Sequence, residues 1–189
     1  TRIQDIARGA ALMTGTRVEC RRGTGCVDII PSKALAQVIY QNMERLPTPQ
    51  PSSADKALAL ALAARCTAVQ PPLTEETLYN TALQPFTGEE EREWGSGDTG
   101  DVSWNIPTAI FNATAFFRTT PGHSWQLAAQ GKTDIAHACT AYAAKVLAAS
   151  ACDLLENPSI IRSAKEELAV RKQGKTHRPL LPGTFEPLA

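Results

Sequence analysis

The sequence predicts an α/β protein in two parts, a small unit over residues 1–50 and a larger α/β unit over residues 51–189. Three observations carry this. Helix-spaced apolar residues flank two short β-favouring runs in the first part, a proline-rich stretch follows at 47–52, and beyond it a β-branched, aromatic segment precedes two long helical patterns.

Ile3, Ile6, Ala7, Ala10 and Met13 recur at helical spacing and Gly15 follows, which predicts a helix over 3–14. Residues 16–22 and 26–30 are short β-favouring runs joined by Gly23-Thr24-Gly25, a loop whose glycines can supply positive φ, so the expectation is a hairpin. Pro31 leads into a second helix over 33–45, with Leu35, Val38, Ile39 and Leu46 as its apolar stripe and Pro47 as its stop. Helix, strand, strand, helix is the inside of a ferredoxin-like split β-α-β unit, here without its first outer strand. Pro47-Thr48-Pro49-Gln50-Pro51-Ser52 is a stiff linker, and the domain boundary is placed there.

Residues 53–68 form an Ala/Leu-rich helix with Ser52 or Ser53 as cap and Pro71-Pro72 beyond it; 74–83 carries a further, less regular helical pattern. Glu89-Glu90-Glu91-Arg92-Glu93 reads as a solvated charge run. Residues 108–117, bounded by Pro107 and by Thr119-Thr120-Pro121-Gly122, predict a strand. From 134 to 155 the residues Ile135, Cys139, Tyr142, Val146 and Leu154 share one face of a long helix rich in alanine. Asn157-Pro158 opens a final helix carried by Ile161, Ala164 and Leu168 and ended by Gly174, and the tail from 175 is irregular.

Composition narrows the function. With 189 residues, 43% hydrophobic and 20% charged, the chain can build a core. Nineteen Lys+Arg balance nineteen Asp+Glu, leaving no global field to attract nucleic acid or an anionic membrane, and neither is expected as a partner. The longest strongly apolar run, 57–64, is flanked by Lys56 and Arg65 and falls short of the roughly 20 residues of a membrane span. The N-terminus lacks the order of a secretory signal, so the expected location is cytoplasmic; its lack of an initiator Met points to processing or to a longer parent. Five scattered cysteines without a C-x-x-C pair read as reduced, mostly buried thiols.

Gly95-Ser96-Gly97-Asp98-Thr99-Gly100 has the spacing of a dinucleotide loop, but an acidic run precedes it and a strand or loop is expected after it, and Asp98 and Asp101 would repel phosphate. It reads instead as a loop presenting two carboxylates beside Ser103 and Trp104. His123, placed by Pro121-Gly122 at the end of the expected strand, is positioned to be a metal ligand or base. Ser124 lacks a nucleophile-elbow spacing, His137 reads as structural, and His177 reads as solvated in the tail.

Gly95-Ser96-Gly97-Asp98-Thr99-Gly100-Asp101-Val102-Ser103-Trp104, Pro107-Thr108 and Thr120-Pro121-Gly122-His123-Ser124-Trp125-Gln126 together resemble the aminobenzoyl-glutamate hydrolase (utilisation protein B) group of the di-metal aminoacylase and carboxypeptidase G superfamily. Ile135-Ala136-His137, residues 143–148, residues 164–167 and, upstream, residues 6–16 extend the likeness. The resemblance implies the remainder of an α+β ferredoxin-like lid followed by the C-terminal half of a three-layer α/β metallohydrolase domain. It implies an amidohydrolase acting on N-acyl amino acids with two divalent metals, zinc or manganese. His123 matches the last metal ligand; Asp98, Asp101 and Asp28 are the candidates near substrate, Asp28 standing where a lid Asn is usual. Ala138-Cys139 replaces a more usual Lys-Gly. The other ligands and the catalytic Glu belong to an N-terminal half absent from these residues, and one His cannot hold two metals. The expected partners are therefore that N-terminal half or a companion chain, with homodimerisation through the lid, and this chain alone is expected to be inactive. A truncated, non-catalytic scaffold is the opposing reading.

Overall fold

The computed structural model describes residues 1–21, 25–66, 73–90, 95 and 97–180. Helix α1, Arg2–Thr14, begins in a capping box in which Thr1 and Gln4 satisfy each other's backbone N–H groups. It ends at Gly15, whose left-handed φ of 63° lets its N–H turn back onto Ala11 and Leu12. α2, Lys33–Arg45, is capped by the Ser32 hydroxyl; α3, Ser53–Ala63, is capped by Ser52 and Asp55 in a second capping box. Two short helices follow, α4, Thr99–Ser103, and α5, Trp125–Gln130, and then the long pair α6, Asp134–Glu156, and α7, Pro158–Lys172. Pro158 stands in the first turn of α7 as its sequence suggests, although Asn157 caps nothing with its side chain and instead accepts the Ser159 hydroxyl.

Helix α2 packs on both α6 and α7, and α6 packs on α7. One apolar cluster joins Ala59, Leu62, Ala63 and Cys66 with Leu78, Tyr79, Phe117, Ile135 and Cys139. A second joins Ile39 to Tyr142 and Val146, with Ala109, Phe111 and Ala113 laid against it. The face of α6 that supplies Ile135, Cys139, Tyr142 and Val146 is the one its sequence periodicity marks. By length and composition alone α6 could cross a membrane, with a mean hydropathy of 1.3. Its many alanines produce that value without a long uninterrupted run of large apolar residues.

The α/β expectation is overturned: among the described residues all regular structure is helical and no sheet forms, the one β contact being an isolated parallel bridge between Pro31 and Thr108. The ferredoxin-like hairpin is absent in its described parts, 16–21 and 25–30, while 22–24 lie outside the described residues. Arg17, Glu19 and Arg21 alternate with Val18 and Cys20, and Val18 stays 39% exposed, so the segment has no covered apolar face to offset the ordering of a lone hairpin. The 108–117 segment makes no ladder among the described residues: beyond the bridge at Thr108 it is irregular, with a bend at Phe116. Its ends bond elsewhere: Ser32 N–H donates to Thr108 O, the Cys139 thiol to Thr114 O, Phe117 N–H to Gln130 and Arg118 N–H to Leu78 O. Among the described residues of 51–189 the expected three-layer arrangement is therefore not present.

Smaller corrections follow the same physics. Residues 74–83 make turns and no helix, held by Thr74 and Thr77, whose hydroxyls bond to each other and compete with helical backbone bonding. α3 stops at Ala63, short of 68, and 67–68 and Pro71-Pro72 lie outside the described residues. Cys66 and Cys139 are buried and Cys20 and Cys152 are exposed.

Candidate functional site

The carboxylate-bearing loop runs into α4, a single helical turn where a strand or loop was expected. Gly100 is there for close approach: a Cβ built on it would lie 1.9 Å from the carbonyl oxygen of Val27. The fully buried Ser103 donates its hydroxyl to Gly100 O and accepts the Ile30 N–H at 2.9 Å, while Trp104 Nε1–H donates to Asp28 O at 3.0 Å. The Gly100, Ser103 and Trp104 positions thus clamp α4 onto residues 27–30.

The three acidic candidates differ in what they can do. Asp98 and Asp28 are exposed, and Asp98 makes no capping bond at the start of α4. Asp101 is occupied, its Oδ1 lying 2.6 Å from Nε2 of His177, with both side chains largely shielded. His177 is therefore not solvated as expected. Its tail crosses back so that Leu180 packs on Gly25, a long-range contact with no local pattern to announce it.

His123 lies in a separate, strongly braced turn. Thr119 and His123 have φ of 62° and 53°, left-handed values on both sides of Pro121-Gly122. Such backbone persists only where its surroundings over-determine it. Gln130, 1% exposed, does this from α5: its Oε1 accepts Phe117 N–H at 2.9 Å and its Nε2 donates to Thr120 Oγ1 at 3.2 Å. Thr120 in turn donates to Phe117 O. Ser124 donates to Pro121 O and caps α5 by accepting Leu127 N–H, so its hydroxyl is committed to structure. Against this frame the His123 side chain is exposed and makes no hydrogen bond among the described residues. No hydrogen bond or ion pair joins His123 to Asp28, Asp98 or Asp101, and among the described residues no three His, Cys, Asp or Glu side chains converge on a possible metal site. The donor set present does not fit a two-metal centre on its own. His137 is exposed on α6.

The strongest electrostatics are structural. Asp55, 5% exposed, accepts the Ser52 N–H and hydroxyl at 2.9 and 2.6 Å and also the Ile135 N–H at the start of α6. Burial pushes its carboxyl up, but these donors outweigh it and hold it below the ordinary range. Glu167 of α7 does the same for α2, accepting the Ser32 hydroxyl and the N–H groups of Lys33 and Ala34. Burial raises its carboxyl too, and these bonds together with Arg171 bring it below its usual value. Burial, with the charges of Asp55 and Cys139, pushes Tyr79 up to about 12. Neither carboxylate has a sequence signature beyond Ser52-x-x-Asp55, because the bonds to Ile135 and to the start of α2 span most of the chain.

Two hollows open at opposite ends of the 107–114 segment. One, of about 330 Å³, lies between Tyr40, Asn80, Gln84, Asn112, Cys139 and Tyr142. The other, of about 340 Å³, lies between Leu35, Val102, Ile106, Leu147 and Leu154. Among the described residues no charged side chain lines either.

Neither a protein-family model nor a solved structure matches the chain. A curated protein does, and it is a hydrolase component. Over 185 residues the chain is 32% identical to a subunit of the p-aminobenzoyl-glutamate hydrolase of Escherichia coli (strain K12), a match covering 88% of this chain and 38% of that protein. The chain thus stands in an aminobenzoyl-glutamate hydrolase family relationship, as its motifs suggested, and spans well under half the length of the relative.

Proposed function

We propose that this chain is the C-terminal portion of an amidohydrolase that cleaves the amide bond of N-acyl amino acids of the p-aminobenzoyl-glutamate kind. It acts with the N-terminal half of the same protein or with a companion chain. The observation that carries the reading is the 32% identity over 185 residues to a protein named as a hydrolase subunit. The braced turn supports it: a backbone held left-handed by a buried glutamine, with an exposed imidazole at its tip, is a way to present a ligand to groups arriving from outside. In this reading His123 would hold one of two divalent metal ions, which would polarise the scissile carbonyl and activate water, and the remaining ligands would come from the companion. Asp98 and Asp28, both exposed, are the candidates for substrate contact, and Asp101 acts indirectly, fixing α4 through His177. Homodimerisation through residues 1–50 belongs to the same reading, and the exposed Ile3, Ile6 and Met13 of α1 supply an apolar face for it.

The test is release of p-aminobenzoate from p-aminobenzoyl-glutamate in the presence of Zn²⁺ or Mn²⁺. The purified chain alone is expected to release none. The chain combined with its companion is expected to hydrolyse the amide, and His123→Ala in that complex to abolish it. A complex that forms and never hydrolyses would leave the scaffold reading, and hydrolysis indifferent to His123→Ala would remove His123 from the site.

A further inference from the structure

We propose that residues 109–113 are an open edge onto which the companion polypeptide adds an extended strand. This rests on the reading of the chain as one portion of a longer hydrolase. The first observation is a hydrogen-bond accounting: among the described residues, no partner engages any backbone N–H or C=O of Ala109, Ile110, Phe111, Asn112 or Ala113. Residues on either side are satisfied, Thr108 O by Ser32 and Thr114 O by Cys139. Extended backbone with a consecutive row of unmet donors and acceptors is the template for strand addition.

The second observation is the side-chain pattern. Ala109, Phe111 and Ala113 lie on the Ile39, Tyr142 and Val146 cluster, which fixes the segment on α2 and α6, while Ile110 is 61% exposed and Asn112 is exposed. This alternation of covered and exposed residues has the period of a strand, so the segment already presents the side-chain pattern that pairing needs. The third is the pair of hollows at its ends, which a partner's side chains can enter, and their uncharged linings select a strand without charges over the paired stretch. The occupant follows from length: the relative is a single polypeptide of which this chain matches 38%, so a companion supplying the remainder brings far more chain than this edge requires. Ile106, Leu147 and Val102, exposed beside the edge, are the surface such a body would cover.

The test is amide hydrogen exchange on the full 189-residue chain, alone and co-expressed with the part of the E. coli relative that the chain does not match. Alone and dilute, the 109–113 amides are expected to exchange freely while those of α2 and α6 are slow. In the complex they are expected to slow by about tenfold or more. Ile110→Pro, which removes a donor at an exposed position whose N–H has no partner, is expected to undo that slowing and leave α2 and α6 exchange unchanged. Protection of 109–113 in the dilute chain, protection by self-association alone, a complex that leaves these amides free, or no complex at all would each overturn the proposal. A hydrolytically active complex with free 109–113 amides sinks the edge and keeps the hydrolase. A protected edge without hydrolysis does the reverse.

Discussion

At the scale of single residues, one side chain and one missing side chain decide much of how this molecule is put together. Asp55 accepts from its own helix cap and from the first turn of α6, so removing it strips an acceptor from two helix starts at once. Asp55→Ala is expected to cost about 1–3 kcal/mol, read as a lower urea midpoint with unchanged slope. Gly100 is bounded by the Val27 carbonyl, whereas Gly97 has nothing within 4 Å of its would-be Cβ. Gly100→Ala is therefore expected to pry α4 from residues 27–30 and cost about 1–3 kcal/mol, and Gly97→Ala to be near neutral in the same titration. The site is legible in the sequence to the extent that its chemistry is local. Pro121-Gly122-His123 gives a rigid turn and an exposed imidazole because those residues are neighbours. Gln130 and His177 were not legible as a brace and a clasp, since the one acts across a turn on Phe117 and Thr120 and the other reaches Asp101 from the far end of the chain.

Among the elements, the helices were readable because their signals are local and redundant. Gly15 stops α1 and Pro158 starts α7 as read, and α2 begins at Lys33 as expected, whereas the less regular pattern over 74–83 gave turns. The β elements were not, since β-favouring composition leaves a strand's partner to the rest of the structure, and among the described residues 108–117 found none beyond the single bridge to Pro31. The short α4 and α5 escaped the sequence for the converse reason, being single turns held by Ser103 and Ser124 with no room for periodicity. Between elements, the Glu167 carboxylate is the tie that α7 makes to the start of α2. Its folded pKa lies below its unfolded one, so its contribution is complete above the ordinary carboxylate range and is lost as the pH falls through the folded value. Asp55 has the same sign. The urea midpoint is thus expected to fall on acidification below that range. Glu167→Gln is expected to lower stability at neutral pH by about 1–2 kcal/mol and to flatten part of the acid slope, which a pH series of urea titrations checks.

For the whole molecule, stability is unevenly distributed. α2, α6 and α7 hold one another and enclose Val38, Ile39, Val146 and Leu168, while α1 leaves Ile3, Ile6, Leu12 and Met13 at 78%, 71%, 84% and 89% exposure. Its caps at both ends favour the helix, but an isolated helix of 13 residues is marginal in water whatever its caps. An apolar stripe without cover therefore leaves α1 to open independently of the core. Hydrogen exchange is expected to resolve this as two tiers: amides of 2–14 lost early at low protein concentration, and amides around Ile39 and Val146 lost last, near the global unfolding limit. Raising the concentration is then expected to slow α1 alone, because only a second copy seated on its apolar face can supply the missing burial. Ile6→Glu should cancel that concentration dependence and leave the α2 and α6 amides untouched. Exchange from α1 as slow as from α2 in the dilute chain would mean that its stripe is already covered, and the apolar face invoked for pairing two copies would not be free.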